Sequence, residues 1–419
     1  MTNTDLWAKG LGALATTMFL GALAVYLYRF FAGAHDCDRL MLKSAVQGRA
    51  CTRTVLLTVA LAFLISRLLM YLGGALWAWR EGMLSIYLRI PEHFWTRWDA
   101  PHYVGLIENW YGNTGDARLH IVFLPLFPAI GRVFHLATGL SPLLSGYLVS
   151  NAACFGCGIV MFRLVELAQG ARGGMRAAVL FLLSPLTLFC SLPYTESVFL
   201  LTTLLAVYLA RKRQFFWAVV FGALSANARI PGMATAVPIF YELLRAQKGG
   251  ILRRYALSAL KVLPVSLGLV AYLWLNYAVT GDAMRFQTYQ SEHWGQTFGS
   301  LYNTVGYTFR NAVAYHDFGY RIGVWIPQLI AIFLVLAILI AVIRRAHPGD
   351  QGYAMIYFYA SVAPTWLLSG PRYLTALYAL YPALALLAHR RAVFYPLALL
   401  STALCVIAGA MYAGIGCIL

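Results

Sequence analysis

The feature that most constrains this chain is a set of six long apolar segments. Each segment contains about 20 mostly apolar residues, the length that an α-helix needs to cross the hydrocarbon core of a bilayer. The segments are residues 11–31, 54–76, 143–165, 262–279, 322–343 and 392–416. Because lipid offers the backbone no hydrogen-bond partners, we expect all six to be α-helices.

Shorter apolar segments lie between the long ones, at residues 177–192, 195–210, 215–228, 230–244, 352–367 and 373–388. Together the two sets predict an all-α polytopic membrane protein, a single domain over residues 1–419 with about twelve transmembrane helices. The stretch 119–138 contains Pro125 and Pro128, which favour a broken or re-entrant segment over a straight helix. Hydrophobic residues make up 61% of the chain, so no hydrophilic segment is long enough to form a separate soluble domain.

The net charge of +17 is distributed unevenly between the two sides of this topology. One set of loops holds 20 of the 32 Lys and Arg residues, namely residues 29–53, 163–176, 211–213, 245–261, 344–350 and 389–391. By the positive-inside rule these loops are predicted to be cytoplasmic, and loops 77–119 and 280–321 external. Since no basic run interleaves with aromatic residues in a soluble segment, we expect no nucleic-acid partner.

The most distinctive polar cluster is the run Arg97-Trp98-Asp99-Ala100-Pro101-His102-Tyr103 in the first predicted external loop. Pro101 suits the first turn of a helix, and the apolar residues after it predict a short helix lying on the membrane surface. Asp99 therefore has two compatible interpretations, as the N-cap of that helix or as a catalytic base. His102, considered alone, is more often an interfacial hydrogen-bonding residue than an acid–base group.

Further polar residues occur on the same predicted side. Glu196 follows Pro193-Tyr194-Thr195 and either complements a helix dipole or belongs to a site. Arg229 and Arg372 lie beside Pro and Gly at breaks between segments, where an arginine either snorkels or binds phosphate bidentately. The sequence contains no Gly-rich nucleotide-binding motif, which argues against an ATP-driven pump.

Cys154 and Cys157 form a C-x-x-C pair inside a predicted span. A zinc or redox site needs further ligands, and no second Cys/His pair is near in sequence. Small residues that ease helix packing explain the pair better. We therefore expect neither a metal ion nor another cofactor.

Six motifs, in order, resemble those of the PIG-V family, which contains the mannosyltransferase that adds the second mannose of GPI anchors, and of its bacterial relatives. The run 97–103 resembles the family signature R-W-D-A-x-H-[FY]. The other matches are Phe123-Leu124-Pro125-Leu126-Phe127-Pro128, Ser184-Pro185 with Tyr194-Thr195-Glu196-Ser197, Ala228-Arg229-x-x-Gly232, the set Phe286, Gln287, Gln290 and Trp294, and Pro371-Arg372-Tyr373. The chain departs from the family pattern at Ser184, Thr195 and Pro231, and segment 11–31 lies outside the resemblance.

This resemblance implies a GT-C-like bundle with short interfacial helices in the first external loop, and it implies that the external loops 77–119 and 280–321 form the catalytic face. It implies a glycosyltransferase that moves a hexose, mannose in this family, from a polyprenyl- or dolichyl-phosphate-linked donor to a lipid or glycan acceptor on the non-cytoplasmic face. The implied catalytic residues are Asp99, as the general base of an inverting displacement, and His102. The implied substrate-binding residues are Arg97, Trp98, Tyr103, Tyr194, Glu196, Arg229, Gln287, Gln290, Trp294, Arg372 and Tyr373.

Two alternatives to an enzyme remain at the level of sequence. A transporter or lipid flippase predicts inverted repeats and charges at the membrane midplane, whereas no repeat is evident and the polar residues cluster on one side. A non-catalytic scaffold subunit would not need Asp99. The sequence leaves the acceptor open between a glycolipid, a protein hydroxyl and a growing glycan. The absence of an N-x-[ST] sequon favours a bacterial inner membrane over an endoplasmic reticulum.

Overall fold

The computed structural model describes residues 3–35, 50–365 and 369–414. Within these ranges the chain is predominantly helical and has no β-strand, apart from one isolated bridge between Phe298 and Pro364. The α-helices are α1 (Asn3–His35), α2 (Thr52–Arg80), α3 (Leu84–Arg89), α4 (Glu92–Trp95), α5 (Ala100–Asn109), α6 (Leu126–Thr138), α7 (Pro142–Leu182), α8 (Glu196–Arg211), α9 (Phe215–Ala228), α10 (Ala236–Ala246), α11 (Ile251–Val262), α12 (Leu267–Thr280), α13 (Arg285–Trp294), α14 (Leu301–Ala314), α15 (Phe318–Tyr320), α16 (Ile326–Ala341), α17 (Pro348–Val362), α18 (Gly370–Thr375), α19 (Leu380–Leu387) and α20 (Arg391–Gly414). Short 3-10 helices occupy Gly115–Val122, Pro185–Cys190, Ile230–Thr235 and Leu263–Ser266, and a π-helical turn occupies Arg321–Trp325.

Six helical segments of the described chain are long and apolar enough to cross a membrane. They are Asn3–Ala32, Thr52–Arg80, Pro142–Leu182, Ile251–Thr280, Phe318–Ala341 and Arg391–Gly414. They coincide with the six long apolar segments, and the prediction of an all-α multi-pass membrane protein is confirmed. The predicted total of about twelve transmembrane helices is not confirmed, because the remaining apolar helices are shorter. The ends of the predicted segments 352–367 and 392–416 lie outside the described residues.

The predicted segments 143–165 and 177–192 are joined in one element, α7, rather than separated by a loop. Its backbone leaves the helical region at Gly170, which has φ 71° and ψ 178°. Gly158 then lies against Leu182, and Gly174 against Phe162, so the two halves of α7 form an antiparallel hairpin. The prediction that helix continues to residue 192 is wrong, since α7 ends at Leu182 and a 3-10 helix follows.

The stretch 119–138 is broken into two pieces. The 3-10 helix Gly115–Val122 ends before Phe123, and α6 begins at Leu126, directly after Pro125. Proline has no N–H to donate, so it is favoured at the start of a helix and opposes a continuous one here. α6 has 13 residues and is amphipathic rather than apolar on all sides. Its start lies close to the polar cluster of the first external loop.

α1, which is outside the family resemblance, packs into the bundle along its whole length. Gly12 lies against Tyr302 of α14, and the rings of Phe19 and Phe358 stack with their centroids 6.1 Å apart. Further along, the hydroxyl of Tyr26 lies close to Gly352 of α17. α1 is therefore an integral part of the fold of this chain.

α2 and α20 touch through their backbones. A side chain added at Gly73 would meet the backbone oxygen of Val406, and one added at Gly409 would meet the backbone of Met70. Small residues allow such close approach, which increases dispersion contacts between helices in lipid. This contact fixes the end of α20 beside the first external loop.

We expect Gly409→Leu to lower the free energy of unfolding by about 1–3 kcal/mol, because the added side chain must push α20 away from α2. Unfolding in mixed SDS micelles measures this change. The matched control is Gly21→Leu on α1, where an added Cβ has no neighbouring atom within 4 Å. Equal stability of the two variants would contradict a backbone contact between α2 and α20.

Candidate active site

An ion network joins four charged side chains at the predicted external face. Nη1 of Arg372 donates to Oδ2 of Asp99 at 2.5 Å, and Nε of Arg372 donates to Oε1 of Glu196 at 2.6 Å. Nη1 of Arg229 donates to the same Glu196 oxygen at 2.5 Å. The Glu196 side chain is 1% exposed, whereas that of Asp99 is 30% exposed. Two cations are thus balanced by two carboxylates, of which Asp99 is the accessible one.

The four residues come from distant parts of the sequence. Asp99 directly precedes α5, and Glu196 is the first residue of α8. Arg229 lies at the junction of α9 and the following 3-10 helix, and Arg372 lies in the short helix α18. Pro231 and Pro371 occupy the first turns after these breaks, where a missing N–H costs nothing. Each charged side chain therefore sits at a helix end or break, where the backbone turns toward the polar face.

The interpretation of Asp99 as a side-chain N-cap is wrong. Asp99 does occupy the position before α5, but its φ of −77° and ψ of −17° are helical, and its side chain makes no capping hydrogen bond. A capping residue normally has an extended backbone that turns its side chain toward the free N–H groups. The carboxylate of Asp99 accepts a hydrogen bond from Arg372 instead.

The loop that carries Asp99 is held from behind by tyrosines. The backbone oxygen of Arg97 accepts hydrogen bonds from the hydroxyls of Tyr194 at 2.9 Å and Tyr412 at 3.4 Å. Nη1 of Arg97 donates to the backbone oxygen of Gly414 at the end of α20. Trp98 has φ 58°, a left-handed conformation that is unfavourable for a bulky residue. These contacts hold the strained turn that presents Asp99.

Aromatic rings flank the two arginines. The guanidinium of Arg372 lies 4.5 Å from the ring centroid of Tyr194, and that of Arg229 lies 4.8 Å from the ring of Tyr373. Such cation–π contacts stabilise a cation that has been removed from water. They also hold each guanidinium plane in one orientation, which a flexible lysine could not match.

The network borders a cavity of about 470 Å³. Nine of the residues implied by the resemblance line it: Trp98, Asp99, His102, Tyr103, Arg229, Gln290, Trp294, Arg372 and Tyr373. Arg97, Tyr194 and Glu196 do not line the cavity. Tyr194 and Glu196 contact Arg372, which does, and Arg97 is held by Tyr194. Gln287 is exposed on α13 and does not line it.

His102 lies beside a histidine that sequence reasoning missed. Nδ1 of His102 is 3.3 Å from Nε2 of His120, and the His102 ring stacks on Phe123. Burial, and then the neighbouring His102, lower the pKa of His120 below its usual value. In the contact between the two rings one nitrogen donates and the other accepts, which fixes the orientation of the His102 ring at the cavity wall. His120 lies in the 3-10 helix Gly115–Val122, and no motif marks it in the sequence.

α13 and the segment after it form the outer wall of the cavity. Nε2 of Gln290 donates to Oε1 of Gln296 at 2.8 Å, and Trp294 lies edge-on to Phe123. Gln296 and Ser369 also line the cavity, and neither belongs to a recognisable motif. The second predicted external loop thus closes over the first.

The donors available in the cavity are suited to an anion. In the described part of the chain, Nη2 of Arg372 and Nη2 of Arg229 donate to no protein acceptor, while both residues line the cavity. Among the same residues, no group of three His, Cys, Asp or Glu is placed to hold a metal ion. The arrangement can therefore bind a phosphate through arginine forks next to a carboxylate that can accept a proton.

Residues 90–294 of the chain match the protein family described as mannosyltransferase (PIG-V). This match confirms the resemblance predicted from the motifs and covers five of the six. The sixth, Pro371-Arg372-Tyr373, lies beyond the matched residues. No curated protein matches the chain.

Two solved structures resemble the fold. One is ArnT from Cupriavidus metallidurans bound to undecaprenyl phosphate, with a TM-score of 0.52 and 15% identity, over 83% of this chain and 62% of that one. The other is the Archaeoglobus fulgidus oligosaccharyltransferase in complex with Zn and sulfate, with a TM-score of 0.43 and 14% identity, over 77% of this chain and 48% of that one. The chain thus spans about three fifths of ArnT, and the likeness to ArnT confirms the GT-C fold class.

We expect Glu196→Gln to lower the free energy of unfolding by about 3–5 kcal/mol. The substitution keeps the shape of the side chain but leaves Arg229 and Arg372 without their shared buried counter-charge. Unfolding in mixed SDS micelles measures the change. Glu292→Gln on the exposed face of α13 is the control and should have a negligible effect. If both variants are equally stable, Glu196 is not the shared counter-charge.

Proposed function

On the premise of the PIG-V family match, we propose that this protein transfers a hexose, mannose by family, from a polyprenyl- or dolichyl-phosphate-linked donor to a lipid or glycan acceptor. Transfer takes place at the non-cytoplasmic face of the membrane, and we place the protein in a bacterial inner membrane. The pairing of Asp99 with Arg372 at the cavity wall carries the proposal. It puts a group that can accept a proton beside a group that can hold a phosphate.

The donor phosphate binds to Arg372 and Arg229. Each guanidinium has one edge tied to Glu196 and further N–H groups without a protein acceptor in the described residues. Undecaprenyl phosphate is bound in the ArnT structure, which has a similar fold, and this supports a polyprenyl phosphate as the lipid part of the donor. The donor's lipid tail leaves the cavity toward the surrounding bilayer.

The transfer is an inverting displacement at the anomeric carbon. The acceptor oxygen forms a bond to this carbon as the bond from the carbon to the phosphate oxygen breaks. Asp99 accepts the proton of the attacking hydroxyl, and the lipid phosphate leaves with the electron pair of the broken bond. His102, held by His120, lines the same cavity as Asp99 and orients the acceptor hydroxyl.

The ion network favours the transition state over the ground state. The phosphate bears one negative charge as a diester in the donor and a second develops as it leaves, so Arg372 and Arg229 interact with it more strongly as the reaction proceeds. Over the same course Asp99 becomes neutral and stops competing with the phosphate for Arg372. Proton transfer and phosphate release are thereby coupled through one guanidinium.

The aromatic and amide side chains of the cavity bind the sugar. Trp98, Trp294 and Tyr103 offer flat apolar faces, and Gln290 offers an amide. Arg97, Tyr194 and Glu196 act from behind the cavity wall by holding the loop and the arginines. Gln287 faces away from the cavity, so it enters this proposal only as a residue of the external surface.

Asp99→Asn tests the role of the proposed base. Asn retains an oxygen that can accept from Arg372 but cannot take up a proton at neutral pH, so we expect transfer to fall by about 10²–10⁴-fold while donor binding persists. A purified assay with supplied donor measures the rate. Asp116→Asn in the same loop is exposed and should transfer normally. Full activity of Asp99→Asn would remove the base from the proposal.

Arg372→Lys tests the proposed phosphate site. Lysine keeps the charge but cannot reach Asp99, Glu196 and a phosphate at once, so we expect the donor affinity to fall about tenfold or more. Titration of the purified protein with donor measures the affinity. Arg118→Lys, an exposed external arginine, is the control. Unchanged affinity in both variants means that Arg372 stabilises the fold without binding donor.

A further inference from the structure

A second cavity of about 470 Å³ lies at the opposite end of the bundle. α8 connects the two ends: its first residue, Glu196, belongs to the ion network, and its last residue, Arg211, lines the second cavity. A helix of 16 residues rises by roughly 24 Å, close to the thickness of the hydrocarbon core. The second cavity therefore lies at the face that the charge distribution predicts to be cytoplasmic.

One wall of this cavity carries positive charge that the protein does not neutralise. Arg211 is paired with Glu242 at 3.0 Å and with Asp350 at 2.7 Å, so its guanidinium is already engaged by protein carboxylates. Arg344 and Arg345 are exposed in the turn after α16 and have no counter-charge within the described ranges. Two guanidinium groups remain to bind an anion.

The turn that carries these two arginines is held in place from α1. The guanidinium of Arg29 donates to the backbone oxygens of Ile343 and Ala346, on either side of Arg344 and Arg345. The positions of the two free arginines are therefore set by the fold rather than by a mobile surface loop. Such preorganisation lowers the entropy lost when a ligand binds.

The opposite wall is apolar and is formed by α7 and α19. It consists of Leu164, Val165 and Ala168 of α7 and Ala379, Ala383 and Leu386 of α19 and its start. Gln351 lies at the polar end of the cavity, is 2% exposed, and its Oε1 has no hydrogen-bond partner among the described residues. A ligand that satisfies all three features has an anionic group, a hydroxyl and an apolar part.

We propose that this cavity binds the phosphate headgroup of an anionic lipid of the adjacent leaflet, one that carries a free hydroxyl as phosphatidylglycerol does. The phosphate lies between Arg344 and Arg345, since guanidinium forks match phosphate oxygens. The headgroup hydroxyl donates to Oε1 of Gln351. The part of the acyl chains nearest to the headgroup packs against the apolar wall. Basic pockets between membrane helices bind lipid headgroups in this way.

Native mass spectrometry of the full chain, purified in detergent and titrated with phosphatidylglycerol, tests this site. We expect the double variant Arg344→Ala and Arg345→Ala to weaken the binding of phosphatidylglycerol to this site by about tenfold or more. Gln351→Leu should weaken it less, without any change of charge. The control, Arg390→Ala combined with Arg391→Ala, removes the same charge from the same predicted face outside the cavity. An equal loss in the control would show a general charge effect and overturn the proposal.

Two further measurements distinguish a lipid phosphate from free inorganic phosphate as the ligand of this cavity. Phosphatidylcholine, which has the same chains and no net charge, should not replace phosphatidylglycerol. Inorganic phosphate at millimolar concentration should not displace it either, because it lacks the apolar part. Displacement by inorganic phosphate alone would overturn the lipid assignment. None of these measurements involves sugar transfer, so they are independent of the proposed function.

Discussion

The arrangement of the external face depends on one buried carboxylate. Glu196 begins α8 in an apolar environment, where an isolated charge would be very costly, and one of its oxygens receives hydrogen bonds from both Arg229 and Arg372. Each arginine in turn needs Glu196, because neither has another fully buried counter-charge among the described residues. Arg372 then extends the network to Asp99, the most accessible of the four. α8, α9, α18 and the first external loop are thus linked by ion pairs in addition to their apolar packing.

Apolar packing supports this network from behind. The backbone contact of α2 with α20 places Tyr412 and Gly414 where they form hydrogen bonds with Arg97. These hydrogen bonds hold the strained turn at Trp98. The hairpin at Gly170 returns α7 through the bundle beside α8. A rigid scaffold of this kind keeps Asp99 and Arg372 within hydrogen-bond distance of each other before a ligand binds, as electrostatic preorganisation requires. The same helices carry a cationic cavity at their other ends, so one scaffold presents two polar sites to the two surfaces of the membrane.

Much of this molecule could be predicted from its sequence. The six long apolar segments all correspond to helices that can span a membrane, because length and hydrophobicity alone decide whether a segment is stable in lipid. The motifs located most of the cavity-lining residues, including both arginines and Asp99. The predicted total of about twelve spans is not confirmed, because short apolar runs such as 230–244 and 373–388 form broken helices packed inside the bundle. Hydropathy shows that a segment is stable away from water, but it does not show whether the segment is surrounded by lipid or by other parts of the protein.

The sequence by itself determined the membrane class, the charge asymmetry between the two sets of loops and the residue types available for chemistry. Only the tertiary structure decided which of these residues meet. Asp99 satisfies the local pattern of an N-cap, yet it pairs with Arg372, which lies 273 residues further along the chain. Gln296 and Ser369 line the cavity and His120 contacts His102, although no motif marks these three residues in the sequence. Gln287 belongs to a motif but lies exposed on α13 and does not line the cavity. Local propensity acts over a few residues, whereas a buried charge takes whichever partner the packing of distant helices brings within hydrogen-bond distance.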